Sequence, residues 1–260
     1  MDVIRTFRNF GLRYMAHRAY QLALHLPIRG LRKYTDCVAR KRGLEIGGPS
    51  RVFSRRGLIP LYDSVGSLDN CNFASNTIWA QHCSGNTFRY SADRPTGHQY
   101  IAEGADLREI ADGSYDFILS SHMLEHTANP LRALRAWNRV LKRNGALILL
   151  VPDKQWTFDH KRPVTTMAHL LQDFERSTGE DDLTHMPEIL QLHDLRRDPG
   201  VDSYEILKNR CQNNFESRGM HHHVFDSSLV RELLEYSNFS VAFIRRSFEC
   251  HVIALARKIS

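Results

Sequence analysis

The sequence lacks any hydrophobic run long enough to span a membrane. Its longest uninterrupted apolar stretch, residues 146–151, has the length of one β-strand, whereas a membrane helix needs about 20 such residues. Hydrophobic residues nevertheless make up 42% of the 260-residue chain, which is enough for a substantial core. We therefore expect a globular, cytoplasmic protein without a transmembrane helix.

Paired cysteines are absent as well. The five cysteines are widely spaced and form no C-x-x-C pair; they are Cys37, Cys71, Cys83, Cys211 and Cys250. This pattern predicts reduced thiols and argues against a cysteine-based zinc site. The chain has 14 histidines, but the adjacent His221, His222 and His223 would point in different directions on a helix or a strand. The sequence therefore predicts no metal site.

Acidic residues are scarce near the N-terminus. Residues 1–42 hold ten Lys and Arg but only Asp2 and Asp36, so this segment carries a charge of +8 while the whole chain carries +6. Apolar residues recur among the arginines at helical intervals, which predicts a basic amphipathic helical extension. The first interpretation is packing on the rest of the chain, and the second is docking of residues 1–35 on the anionic inner membrane surface. We expect no nucleic-acid partner, because no aromatic RNA-reading motif follows.

Short apolar segments alternate with helical patterns from residue 43 onward, which is typical of a parallel sheet flanked by helices. The predicted strands are residues 44–46, 64–68, 100–102, 117–120, 146–151, 239–244 and 250–256, and the predicted helices are residues 129–142 and 227–236. Residues 154–222 lack this alternation and are rich in His, Asp and Arg, so we interpret them as an insertion or lid that binds an acceptor. The chain thus divides into the extension, residues 1–42, and one domain, residues 43–260.

Polar residues and glycines occupy the ends of the predicted strands, where α/β proteins bind their ligands. The residues in these positions are Glu45, Gly47, Gly48, Asp69, Asp106, Ser120 and His122. The two glycines of the first loop let a ligand approach the backbone closely. Asp69 lies 24 residues after Glu45, near the spacing at which an acidic residue accepts hydrogen bonds from a ribose. Asp63 is the alternative for that role.

Two segments resemble a known family. LEIGGPS, residues 44–50, and EGADLREIADGSYDFILSSHMLEHTANPLRALRAWNRVLKRNGALILLVPD, residues 103–153, are similar to class I S-adenosylmethionine (SAM) dependent methyltransferases of the type 11 kind. The resemblance implies a Rossmann-like, mostly parallel sheet of seven strands, with helices on both faces and an antiparallel last strand. It also implies a transferase that uses SAM. Pro49 departs from the family pattern, since the usual first turn is G-x-G-x-G.

The resemblance also assigns individual residues to parts of SAM. It gives Glu45, Gly47 and Gly48 to the methionine part, Asp69 to the ribose, Asp106 and Leu107 to the adenine, and Ser120 and His122 to the sulfonium side. For His122 a purely structural role is the alternative. Because Pro49 lacks an N–H and has a fixed φ, the first turn must differ in detail from that of the family.

Methyl transfer to an oxygen or nitrogen requires positioning of the reactants and removal of a proton from the acceptor. A neutral histidine or a carboxylate near the donor methyl meets the second requirement. The candidate catalytic residues are His126, Asp153, His160 and His222.

The acceptor is suggested by a further resemblance. Residues 157–163, TFDHKRP, resemble bacterial methyltransferases found with polysaccharide and glycan assembly. A hydroxyl group of a small molecule, a sugar or glycolipid, is therefore the first interpretation. The alternatives are a quinone or other aromatic acceptor, and a non-catalytic protein that binds RNA or membranes through its basic N-terminus.

Overall fold

The computed structural model describes residues 27–77, 86–198, 200–247 and 250–259. The predicted amphipathic segment of residues 1–35 therefore lies largely outside the described residues, and so does Cys83. The other four cysteines are free thiols, in agreement with the prediction. Among the described residues, no helix has the length and apolar character needed to cross a bilayer.

Eight strands form one sheet in the described part of the chain. They are β1 (Arg42–Ile46), β2 (Ser67–Asn72), β3 (Thr87–Phe88), β4 (Gly97–Ile101), β5 (Tyr115–Ser121), β6 (Leu141–Pro152), β7 (Phe239–Ser247) and β8 (His251–Lys258). Their order across the sheet is β3-β4-β2-β1-β5-β6-β8-β7. Strands β4, β2, β1, β5 and β6 are parallel, whereas β8 is antiparallel to both β6 and β7. The Rossmann-like class and the antiparallel last strand are confirmed.

The described sheet has one strand more than the seven predicted. This additional strand is β3, which pairs antiparallel with β4 at the edge of the sheet. It is two residues long, too short to show an alternating pattern. The predicted strand 64–68 is displaced along the chain, because β2 runs from Ser67 to Asn72. This displacement moves the carboxyl end of β2 to Asn72.

Helices cover both faces of the sheet. Alternate residues of a strand point to opposite faces, so Phe117 and Leu119 of β5 enter one core with Tyr34, while Ile118 enters another with Trp137. Tyr34 belongs to helix α1 (Leu31–Val38). The second core is covered by helix α2 (Pro130–Val140) and by α7 (Ser227–Tyr236). Helix α2 begins with Pro130 and is capped by Asn129, whose side chain accepts a hydrogen bond from the Arg132 N–H.

The segment of residues 154–222 is mainly helical. It contains α3 (Met167–Arg176), α4 (Met186–Leu192), α5 (Tyr204–Gln212) and α6 (Asn214–Ser217). Five of its residues form a small separate core, namely Ile189, Val201, Leu207, Cys211 and Met220. This insertion extends the domain at the edge where the parallel strands end, because it follows directly after β6.

Candidate active site

A cavity of about 600 Å³ lies at the carboxyl ends of the parallel strands. This is the edge where open α/β sheets bind ligands, and the volume is typical of small-molecule sites. The sheet contributes Ile46 from β1, Asn72 from β2 and Ser121 from β5, while Glu180 and Arg218 come from the insertion. The cavity therefore lies between the strand ends and the helical insertion.

The first turn supports the cavity mainly through its backbone. Gly47 lines the cavity and has φ of 84°, a left-handed conformation that glycine adopts without strain. Gly48 does not line the cavity. Its N–H donates to the Asn70 side chain (3.0 Å), and a Cβ placed on it would lie 2.3 Å from Cδ of Glu45. Gly48 is thus required by packing inside the turn.

Glu45 lies beneath this turn rather than in the cavity. Its carboxylate accepts hydrogen bonds from the Ser50 N–H (2.9 Å) and from the Tyr62 hydroxyl (2.8 Å), and the side chain is fully buried. Burial raises the pKa of Glu45 to about 7. Glu45, which was predicted to contact SAM, therefore holds the turn and does not line the cavity.

Replacing Glu45 with glutamine is expected to alter the dependence of stability on pH. Because the pKa of Glu45 is raised in the folded state, the carboxylate opposes folding increasingly as the pH rises from 4.5 to about 7. Relative to Glu45→Gln, the wild type should lose up to about 3 kcal/mol of unfolding free energy over this interval. Urea unfolding at a series of pH values measures this loss. Glu235→Gln, an exposed control, should show no such trend, and a pH-independent difference for Glu45→Gln would contradict the assignment.

Asp69 also lies away from the cavity, because it is inside β2 rather than after it. One carboxylate oxygen accepts hydrogen bonds from Arg42 and from the Tyr115 hydroxyl, both at 2.9 Å, and the other accepts from the His98 N–H at 2.8 Å. The alternative, Asp63, is paired with Arg55 at the surface. Asp69 therefore does not line the cavity, whereas Asn72 at the end of β2 does, and the ribose contact of Asp69 stays a prediction.

The loop after β4 reaches the cavity through residues that precede Asp106. Glu103, Gly104 and Ala105 line the cavity, whereas the Asp106 carboxylate pairs with Arg108 (2.7 Å) and with Arg132 (3.1 Å). Leu107 is buried in the core beneath. Asp106 and Leu107, which were predicted to contact the adenine, thus lie outside the cavity wall, and the three preceding residues belong to it.

The loop after β5 brings His122 into the cavity, with φ of 53°. Left-handed backbone at a non-glycine residue costs free energy and is frequent at functional sites. The His122 Nε2 lies 2.6 Å from Nδ1 of His251, which also lines the cavity. Ser120 is buried inside the sheet, and its neighbour Ser121 takes the predicted position in the cavity wall.

Of the four candidate catalytic residues, the structure brings His126 to the cavity. The other three do not line it and are engaged elsewhere. Asp153 is buried and pairs with Arg246, His160 lies 3.0 Å from the Asp194 carboxylate, and His222 is buried against Asn214. These three side chains are therefore held by other residues, away from the cavity wall.

A chain of polar contacts surrounds His126. Its Nδ1 donates to the Met220 carbonyl (3.1 Å), and its ring lies 4.5 Å from that of His221. The Asp159 carboxylate holds Nδ1 of His221 at 2.6 Å. Burial lowers the pKa of His126 well below its usual value, so this histidine is neutral at neutral pH.

Glu125 is the most unusual neighbour of these histidines. Its carboxyl group is buried, and neither oxygen has a hydrogen-bond partner among the described residues. One oxygen lies 3.5 Å from Nδ1 of His122 and 3.9 Å from Nε2 of His126. Burial raises the pKa of Glu125 well above its usual value, which favours the protonated form between the two imidazoles.

Sequence reasoning missed several cavity residues. They are Asn72, Glu103, Glu180, Arg218 and His251, together with Glu125 behind the wall. Glu103 and Glu125 lie within the segments that resemble the family, and each lies close to the end of a predicted strand. That position could have indicated them as site residues. Arg218 and Glu180 reach the cavity through tertiary contacts of the insertion and have no local sequence signal.

The comparisons with known proteins agree with this geometry. Residues 74–149 match a family described as a methyltransferase domain. The fold is similar to that of a SAM-dependent methyltransferase from Methanosarcina mazei, with a TM-score of 0.51, 16% identity, and 90% of this chain and 99% of that chain covered. A second one, from Mesorhizobium loti, has a TM-score of 0.51 and 12% identity, with 88% and 95% covered. At these identities, the two structures establish the fold alone. No curated protein matches the sequence.

Residues 74–149 thus match a methyltransferase domain, and the fold agrees with that class. The expected enzyme class and its cofactor, SAM, are confirmed. The residues present fit this cofactor, because the Gly47 backbone opens the turn while Asn72 and Glu103 supply polar groups at the ends of the neighbouring strands.

Proposed function

We propose that this methyltransferase transfers the methyl group of SAM to a hydroxyl group of a small polar acceptor, a sugar or a glycolipid. The observation that carries the proposal is the set of charged and imidazole side chains that line the cavity together with apolar ones. This lining includes Glu103, Glu180, Arg218, His122, His126 and His251, whereas Phe73 is the one aromatic ring besides histidine among the described lining residues. A quinone would be better matched by apolar and aromatic walls, so the lining favours hydroxyl groups.

His126 is the residue we assign as general base. Because Nδ1 donates to the Met220 carbonyl, the neutral ring carries its lone pair on Nε2. SAM supplies an activated methyl group when it is bound. The chain then has to position the acceptor oxygen and remove its proton, and Nε2 of His126 is suited to that removal.

Arg218 connects the insertion to the strand-end loops across the cavity. Its guanidinium pairs with Glu103 at 2.5 Å and with Glu180 at 3.2 Å. Charged groups of both signs in one wall can donate to and accept from the hydroxyl groups of a sugar. We assign Arg218 and Glu180 to acceptor recognition, with Glu103 holding the Arg218 guanidinium from the strand-end side.

A lipid-linked acceptor would also suit the basic N-terminus. Residues 1–42 carry a charge of +8, which attracts an anionic membrane surface. Residues 1–26 lie outside the described residues, so this part of the proposal rests on the sequence.

The acceptor class is tested with SAM that carries a labelled methyl group. Calorimetry first establishes that the preparation binds SAM, and the protein is then incubated with sugar nucleotides, with a glycolipid extract, and with water-soluble quinol analogues. We expect label in a sugar or glycolipid product. Label confined to the quinol fraction would overturn the acceptor assignment, and absence of SAM binding would contradict the use of the cavity for SAM.

A further inference from the structure

A second cluster of ionisable side chains lies outside the cavity. His169 and Asp173 belong to α3, His185 directly precedes α4, and His223 lies in the segment before α7. One nitrogen or oxygen atom from each of the four lies within 4.8 Å of all the others. Because residues four apart share one face of a helix, His169 and Asp173 present their side chains together.

The distances between these atoms match those around a tetrahedral metal ion. His169 Nε2 lies 3.1 Å from Nε2 of His185 and 3.3 Å from Oδ2 of Asp173. His223 Nε2 lies 3.8 Å from the same carboxylate oxygen. Ligand atoms that bind zinc at about 2.0–2.2 Å in a tetrahedron are about 3.3–3.5 Å from one another. The four atoms are therefore already close to a coordination shell.

Hydrogen bonding accounts for only part of this arrangement. Only one proton can lie between the facing nitrogens of His169 and His185, and Oδ2 of Asp173 is buried without a hydrogen-bond partner among the described residues. The other oxygen of Asp173 accepts from the Thr178 hydroxyl at 3.1 Å. Such an outer partner, which orients a carboxylate, is typical of metal ligands.

We propose that His169, Asp173, His185 and His223 bind one divalent transition metal ion of the zinc type. Three imidazoles and one carboxylate form a donor set that suits zinc. His223 Nε2 donates to the Ala128 carbonyl at 3.2 Å; metal binding at this nitrogen would use the other neutral tautomer, in which the proton has moved to Nδ1.

The ion would join the insertion to the cavity wall. Asp173 accepts a hydrogen bond from the Asn129 side chain through its backbone carbonyl (2.9 Å), and Asn129 follows shortly after Thr127, which lines the cavity. A metal at this position therefore fixes α3 and the start of α4 against the domain. This inference departs from the expectation of no metal, since the ligands come from three segments that no sequence motif connects.

Zinc binding by the full chain tests the proposal. After chelator treatment and dialysis, zinc is titrated in competition with a chromophoric chelator, and bound metal is counted by mass spectrometry. We expect one zinc ion per chain. His169 is a partly exposed ligand. Loss of a residue that only orients a ligand costs about 10–100-fold in metal affinity, and we expect His169→Ala to weaken zinc binding by more than this.

The matched control is His160→Ala. This histidine lies in the same insertion and also pairs with an aspartate, Asp194, but it is outside the cluster, so its zinc affinity should equal that of the wild type. Asp173→Asn preserves the shape of the ligand and provides a second variant if His169→Ala fails to fold. Equal zinc affinity of the wild type and whichever of these variants is folded would overturn the proposal.

Cobalt replaces zinc in a second measurement. Co²⁺ bound by four nitrogen and oxygen ligands absorbs visible light strongly, whereas six-coordinate Co²⁺ absorbs weakly. We expect the strong absorption in the wild type and its loss in Asp173→Asn. Weak absorption in the wild type, or a wild type that binds neither metal, would also overturn the site.

Discussion

Replacing His126 with alanine is expected to lower kcat by about 10²–10⁴-fold, the contribution typical of a general base. The affinity for SAM should stay unchanged, because the turn at Gly47 and the end of β2 are untouched. Single-turnover transfer of labelled methyl groups to the identified acceptor measures the first quantity, and calorimetry measures the second. Since burial lowers the pKa of His126 well below 6.5, the wild-type rate should remain high to a pH below that value.

His98→Ala is the control for this experiment. His98 is exposed on β4 and does not line the cavity, so the variant should transfer methyl groups at the wild-type rate. A wild-type kcat in His126→Ala would remove His126 from the reaction. The base would then be sought at His122, whose Nε2 lies 2.6 Å from His251.

Replacing Arg162 with methionine is expected to lower the free energy of unfolding by about 3–5 kcal/mol, the usual cost of breaking a buried ion pair. Arg162 is 1% exposed. It donates to Asp159 (3.0 Å) and Glu188 (2.7 Å), and to the carbonyl groups of His221 and His222. Without the Arg162 guanidinium, the Asp159 carboxylate remains buried but loses its cationic hydrogen-bond donor. Urea unfolding followed by circular dichroism measures the loss.

Arg231→Met is the matched control, because Arg231 forms an exposed pair with Glu235. Such pairs contribute about 0–1 kcal/mol, so this variant should unfold close to the wild type. A loss below about 1 kcal/mol in Arg162→Met would mean that the insertion is held in place by other contacts.

The hydrophobic pattern was a reliable guide to the centre of the sheet. Residues 117–119 and 146–151 are continuous apolar runs because β5 and β6 are buried on both faces. The same reasoning failed for β2, whose sequence SLDNCN is largely polar. Asp69, Asn70 and Asn72 are buried there with hydrogen bonds from or to Arg42, Gly48 and other groups. A hydrophobic pattern cannot reveal a strand whose buried side chains are polar.

The sequence predicted where the site lies, but only some of the residues that line it. Gly47, His122 and His126 are in the cavity wall, because each lies within a few residues of a strand end that the sequence identified. Asp153 and His222 have suitable chemistry but are buried against other partners. Arg246, the partner of Asp153, is distant along the chain, and Asn214 reaches His222 from a separate helix, so the placement of both depends on packing that only the folded structure reveals.

The small core inside the insertion has a consequence for how specificity can change. Leu207, Cys211 and Met220 pack within that segment, whereas the turn at Gly47 and the strand ends belong to the sheet. The strand ends at the SAM site and the insertion, which carries the proposed acceptor residues Glu180 and Arg218, thus have separate cores. Substitutions in the insertion can therefore change which molecule is methylated while the methyl donor remains the same.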